Sequence, residues 1–261
     1  MNRDRDGRSN AQISITQETD TLPGKPNNCC RSEFLKSGER HMSFKIADDP
    51  EVDYRAFVRA AYDRCAMEYA SQRSARAGAE FNLIAERLEP GSGILDVGCG
   101  SGVPVVKELA DNFSVTGIDI SSSMIAMARK NIPTARFIHA DVMETEFPAG
   151  SFDAIVSYYS VFHIPRQEHR ELFQRFARWL RPGGLLLFTV ARYDDGPGYT
   201  EDDFYGETMY WSNFGPSTYE KFLAETGFQI EREGILGGGY ESADALEEVH
   251  PFFFAVKREG L

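Results

Sequence analysis

The sequence predicts an α/β protein, an open and largely parallel sheet covered by helices on both faces. Two observations predict it. From about residue 93, short apolar runs alternate with stretches whose apolar residues recur at helical spacing. The first of those runs, "GILDV", leads directly into a glycine cluster. An apolar content of 42% and a charged content of 26% over 261 residues suit one soluble domain of ordinary core size.

The elements follow in order. Residues 1–48 are polar and aperiodic, with Pro23, Gly24, Pro26, Asn27 and Asn28 in the middle, and read as a disordered tail. Residues 49–261 read as a single domain. Tyr54, Phe57, Val58, Ala61, Tyr62, Cys65 and Tyr69 mark a first helix. Phe81, Ile84, Ala85 and Leu88 mark a second, so that a helical cap spans about 51–88. Pro90, Gly91 and Ser92 break the chain before the first strand. A helix is expected from about Val103, through "VPVVKELADN". "FSVTGID" reads as a strand, and "SSSMIAMARKN" as a helix opening on a serine cap. "ARFIHAD" and "FDAIVSYYS" read as two more strands. Pro165 opens a helix with Leu172, Phe173, Phe176, Ala177 and Leu180 on one face, and "RPGG" turns into the strand "LLLFTVA". After a non-helical stretch at 192–214 come the helix "GPSTYEKFLAETG" and the strands "FQIEREG" and "PFFFAVKRE".

Composition excludes some functions. The net charge is −12, and residues 1–50 balance 8 basic against 8 acidic residues, so the rest of the chain carries all of it. Such a domain repels a phosphate backbone, which disfavours nucleic acid as partner. No run of about 18 apolar residues is present to span a membrane. Four cysteines (29, 30, 65 and 99) without CxxC spacing point away from structural zinc and toward a reducing cytoplasm. The N-terminal stretch, carrying Asp4 and Asp6 and no apolar core, does not read as a leader.

The chemistry lies in "ILDVGCGSGVP", residues 94–104. The first strand ends near Asp96, and Gly98, Gly100 and Gly102 make a tight turn that lets backbone approach a ligand. No lysine follows, so the turn is not a nucleoside-triphosphate loop. The third glycine comes one residue early for a dinucleotide turn, which weakens that reading. The pattern resembles instead the (D/E)xGxGxG turn of class I S-adenosylmethionine-dependent methyltransferases of the small-molecule type. "FDAIVS" and "LRPGGLLLF" resemble that family's fourth and fifth strands, and the likeness spans about residues 51–258. It implies a Rossmann-like three-layer sandwich with seven strands, the last antiparallel. It also implies S-adenosylmethionine as cofactor, held by Asp96, Gly98, Gly100 and Gly102. Asp119 would meet the ribose and Asp141 the adenine amino group. Ile120, Met124 and Val142 would wall the ring, with Ser157, Tyr69 and Arg73 completing the site and Arg73 a carboxylate partner.

The acceptor is expected at the carboxyl ends of strands four and five. Ser157, Tyr158 and Tyr159 end the fourth strand there, and His163 falls in the following turn as general base, acceptor contact or backbone-bonded residue. Residues 192–214 hold seven aromatics, among them Tyr210 and Trp211, where about three are expected from composition. They read as an aromatic lid over the acceptor, or else as a surface cover. His250, beside Pro251, reads as a turn residue. Methyl transfer to a small aromatic or secondary metabolite is the leading function. A cyclase or isomerase on the same fold and a regulatory subunit with a degenerate site are the alternatives.

Overall fold

The computed structural model describes residues 43–73, 78–194, 196–237 and 249–259. Its first element is a short strand, β1 (Ser43–Ile46), followed by α1 (Tyr54–Gln72), whose N-terminus is capped by Asp53 accepting the Ala56 N–H at 3.2 Å. A 3₁₀ turn and α2 (Asn82–Ala85) lead into β2 (Gly93–Val97), α3 (Val105–Leu109), β3 (Ser114–Asp119), α4 (Ser122–Asn131) and β4 (Arg136–His139). The second half runs β5 (Phe152–Ser157), α5 (His169–Trp179), β6 (Leu180–Thr189), β7 (Tyr199–Phe204), β8 (Glu207–Trp211), α6 (Pro216–Glu225), β9 (Phe228–Gly237) and β10 (Val249–Lys257).

Seven strands form the main sheet, in the order β4-β3-β2-β5-β6-β10-β9. The β2–β6 pairings are parallel, and β10 runs antiparallel to both β6 and β9. This is the Rossmann-like sheet expected above, with its last strand reversed.

Alternation along each central strand explains why both faces are covered. Leu95, Ile155 and Leu186 point into one apolar layer with Leu172, Phe173, Phe176 and Trp179 of α5 and Tyr219 and Leu223 of α6. Ile94, Ala154 and Leu185 point into the other, with Ile84 of α2, Val106 and Leu109 of α3, and Ile125 and Ala128 of α4.

Three expectations need correction. The tail does not extend to residue 48: β1 pairs antiparallel with β7, Ser43 opposite Asp202 and Ile46 opposite Tyr199. Four residues carry too weak a period to announce a strand. The rest of the expected tail lies outside the described residues. The helix after the glycine turn starts at Val105, two residues late, because Pro104 stands at its N-cap, and it is only five residues long. The stretch 192–214 is not irregular. It folds back as the β7–β8 hairpin, which with β1 makes a separate three-stranded sheet packed on α1. Among the described residues, no helix is long and apolar enough to cross a membrane.

His169, fully buried at the start of α5, donates Nε2–H to the Ile164 carbonyl at 2.8 Å and accepts the Tyr219 hydroxyl at Nδ1, 3.0 Å away. Burial holds its pKa down to about 4, from 6.5. The unfolded chain therefore takes up a proton below pH 6.5 that the fold refuses until about pH 4. This share of stability, about 3 kcal/mol, is complete above pH 6.5 and is lost as pH falls toward 4. Urea titrations of wild type and His169→Gln between pH 4 and 7 should show a shallower pH dependence in the variant.

Candidate functional site

Each glycine of the turn takes positive φ, but the three meet different surroundings. A Cβ on Gly98 would stand 2.3 Å from the Ser160 Cβ, so the turn and the segment after β5 are pressed together. That contact is fixed by hydrogen bonds: Ser160 Oγ donates to the Val97 carbonyl at 2.8 Å, and Ser157 Oγ–H donates to Ser160 Oγ at 2.7 Å. A Cβ on Gly100 would meet no heavy atom within 4 Å. Gly100 faces a cleft of about 730 Å³, measured out to its open mouth.

That cleft lies at the carboxyl ends of β2, β3 and β5, where ligands bind in open α/β sheets. Gly98, Gly100, Asp119, Ile120, Met124, Asp141 and Val142 line one part of it, and Tyr62, Tyr69, Tyr158, Tyr159, Ser160 and His163 line another. Most of the residues expected at the two subsites thus share one cleft. Asp96, Gly102, Ser157, Arg73, Tyr210 and Trp211 are not on its wall. Gly102 packs against Ile132 instead, and Ser157 acts through Ser160. Arg73 spreads its guanidinium over the rings of Tyr159, at 4.5 Å, and Tyr69, at 5.6 Å.

Two carboxylates stand behind the turn. Asp119 accepts the Gly100 and Ser121 N–H groups, each at 2.8 Å, which holds the turn to β3. Asp96 is 1% exposed, and its Oδ2 has no hydrogen-bond partner among the described residues. Burial first, then the charge of Asp119, pushes the Asp96 carboxyl up to about 8. A buried carboxylate oxygen without a donor favours a cation nearby. Together with the open ground at Gly100, it fits a cationic ligand such as S-adenosylmethionine lying along the turn.

Asp141 is already engaged. Its Oδ1 accepts the Met143 N–H at 2.8 Å, and its Oδ2 pairs with Arg55 at 3.2 Å. Arg55 also reaches Glu168, at 3.3 Å. α1 is tied down again by Asp63, whose Oδ1 accepts the Ser121 hydroxyl at 2.7 Å and the Ser123 N–H at 3.0 Å, across the N-terminus of α4.

His163 sits in a 3₁₀ turn, Val161–His163, and is buried. Its Nδ1 lies 3.0 Å from the Tyr210 carbonyl, which can only accept, so Nδ1 carries the proton. Nε2 is then the acceptor for the Tyr62 hydroxyl at 2.9 Å. Burial lowers its pKa to about 4 and keeps the ring neutral near pH 7. The two hairpin residues expected in the acceptor pocket are displaced from it. The Tyr210 ring is 1% exposed and stacks on Tyr54 at 4.7 Å, because β8 packs that face against α1, so only its carbonyl reaches the site. Trp211 lies behind His163, ring centres 4.6 Å apart.

Tyr159 takes φ 53°, a left-handed conformation that costs a non-glycine residue about 1–2 kcal/mol. Its N–H donates to Thr189 Oγ1 at 2.8 Å, and its ring meets His250 edge-on at 4.9 Å. His250 belongs to β10 rather than to a turn, because β10 starts earlier than its apolar run. Sequence reasoning missed Arg55, Ser160, Asp63 and Thr189 as site residues, and placed Tyr62 only on the apolar stripe of the first helix. The helical stripe put Tyr62 on the right face, but nothing in the sequence pairs it with His163.

Residues 94–184 match a family model described as a methyltransferase domain. Phosphoethanolamine N-methyltransferase 3 of Arabidopsis thaliana is 35% identical over 178 residues, covering 66% of this chain and 33% of that protein. The chain thus spans about a third of the length of that relative. The structure of a Burkholderia thailandensis 1,6-didemethyltoxoflavin-N1-methyltransferase is similar at a TM-score of 0.62 and 18% identity, covering 86% of this chain and 99% of that one. The [4+2]-cyclase SpnF is similar at a TM-score of 0.59 and 21% identity, covering 78% and 96%. Both structural likenesses concern the fold.

The glycine positions separate stability from binding. Gly98→Ala should destabilise the protein by about 2–4 kcal/mol through the clash with Ser160. Gly100→Ala should cost only about 1 kcal/mol, from backbone strain, yet weaken ligand binding at least tenfold. Urea unfolding and calorimetric titration with S-adenosylhomocysteine check the two effects separately.

Proposed function

We propose that the chain is a class I S-adenosylmethionine-dependent methyltransferase, as the match of residues 94–184 to a methyltransferase-domain model supports, and that it methylates a small-molecule acceptor. The carrying observation is that one cleft joins the glycine turn, Asp119 and Asp141 to the Tyr62–His163 pair. Gly98, Gly100, Asp96, Asp119 and Asp141 would hold the cofactor, with Ile120, Met124 and Val142 beside the base. When bound, S-adenosylmethionine supplies an electrophilic methyl group on a good leaving group, so alignment carries most of the catalysis.

Tyr62, Tyr69, Tyr158 and Tyr159 give the acceptor a largely aromatic wall, which suits a planar or partly apolar metabolite. The acidic balance of the chain speaks against nucleic acid. The working unit is the domain from residue 49, extended at its N-terminal side to take in β1, with the β7–β8 sheet as lid. Two buried free thiols, Cys65 and Cys99, support a cytoplasmic setting.

Tyr62 Oη can accept the acceptor's proton while its own passes to His163 Nε2. One acceptor–hydrogen bond breaks, one Nε2–H bond forms, and Tyr62 ends as a neutral phenol. His163 is left as an imidazolium, its Nδ1–H still held by the Tyr210 carbonyl.

Calorimetric titration should show S-adenosylmethionine binding in the micromolar range, and a labelled-methyl assay over a metabolite panel should show label transfer. No binding at high micromolar concentration would sink this reading; product without label would point to a cyclase on the same fold. With an acceptor in hand, Tyr62→Phe should lower turnover by about 10² or more with cofactor affinity unchanged. The kcat/KM profile should fall with acid near pH 4, where His163 takes a proton, and show no step near 6.5.

A further inference from the structure

We propose that Trp211 is a positioning residue for His163: its indole, together with the Tyr210 carbonyl, fixes the imidazole in the Nδ1–H tautomer with Nε2 turned to Tyr62. The proposal rests on the catalytic reading of the Tyr62–His163 pair and assigns Trp211 a role in place of contact with the acceptor.

The hairpin strand β8 supplies two consecutive contacts to one ring. Residue 210 accepts the Nδ1–H through its carbonyl, and residue 211 lays its indole 4.6 Å from the imidazole centre, tilted by 38°. Phe162, at 5.0 Å, and Tyr62, at 5.4 Å, meet the same imidazole near edge-on. The imidazole is thus bounded by aromatic rings and hydrogen-bonded at both nitrogens, so rotation about its Cβ–Cγ bond has no room.

The indole itself is held by apolar packing, against rings and against the cluster of Val58, Ala61 and Met209. Trp211 lies 5.5 Å from Phe162 and 5.8 Å from Phe204, and its Nε1 is buried with no hydrogen-bond partner among the described residues. Buried indole N–H groups usually find an acceptor. Here the N–H contributes nothing visible, and what the position supplies is an aromatic face. That face serves the reaction twice. It holds the neutral ring in register before proton transfer, and it attracts the imidazolium formed afterwards.

Leu at this position would keep an apolar filling and lose the ring; Phe would keep the ring and lose only the N–H. Nitrogen-15 long-range correlation spectra of the full-length protein report the His163 tautomer directly, with His163→Asn for assignment. Wild type and Trp211→Phe should show a protonated Nδ1 and an unprotonated Nε2, and Trp211→Leu a mixture. Turnover should fall about tenfold or more in Trp211→Leu, recover to within about twofold of wild type in Trp211→Phe, and leave S-adenosylhomocysteine affinity unchanged in both.

A wild-type Nε2–H tautomer would overturn the proposal without any variant, even if Trp211→Leu did not fold. So would a Trp211→Phe variant as slow as Trp211→Leu, which would assign the indole N–H to the acceptor, or a Trp211→Leu variant with wild-type tautomer and turnover. None of these spectra requires cofactor binding, so failure of the proposal and failure of the methyltransferase reading give different results.

Discussion

A single hydrogen bond, from the Tyr62 hydroxyl to His163 Nε2, joins three parts of the chain that the sequence encodes far apart. Tyr62 comes from α1, His163 from the turn after β5, and the Tyr210 carbonyl that fixes the tautomer from β8. The bond exists only if α1 lies across the carboxyl ends of the sheet and the small sheet lies against α1. The docking contacts serve that placement. Asp63 ties α1 to the start of α4, Arg55 ties it to Asp141 and Glu168, and Arg64 pairs with Glu207 of β8 at 2.5 Å. The exposed Arg64 pair adds little energy by itself; the buried aromatic contacts between α1 and β8 carry the packing.

The two aspartates behind the glycine turn show how one sheet end sets two different electrostatic states. Asp119 has two backbone donors and gives the turn its shape. Asp96, one strand away, has no donor on Oδ2 and repels Asp119, so its charged form is disfavoured until positive charge comes near. A site built this way does not attract a cation by net charge alone.

The sheet was legible because its signals are local. Apolar runs of four to six residues, the GxGxG turn and the serine cap at Ser121 each depend on neighbours in sequence, and each reappears where it was read. The glycine-turn side of the cleft was legible for the same reason, since Gly98, Gly100, Asp119 and Asp141 lie at strand ends that the pattern defines. The side lined by Tyr158, Tyr159 and His163 was only half legible. Tyr158 and Tyr159 lie next to a readable strand, but the partner of His163 is 101 residues away, and no periodicity carries that information. The hairpin failed for a related reason. Its strands carry Tyr199–Phe204 as "YTEDDF", mostly polar because the small sheet has one solvated face, and β1 is too short to show any pattern.

Tyr210 and Trp211 illustrate what aromatic enrichment does and does not tell. The excess of rings at 192–214 pointed to an ordered segment, since such rings must be buried against something. It did not tell which rings face a ligand. In the structure most of them face other rings: Tyr54 stacks on Tyr210, Phe204 meets Tyr62 and Tyr69, and Trp211 backs His163. The segment therefore contributes to chemistry mainly through what it holds in place. The cleft can then change its lining at Tyr158, Tyr159 and Tyr69 while the Tyr62–His163 pair stays fixed. The division follows from packing, because the rings that bound His163 come from α1 (Tyr62), the turn after β5 (Phe162) and β8 (Trp211) and cannot vary independently.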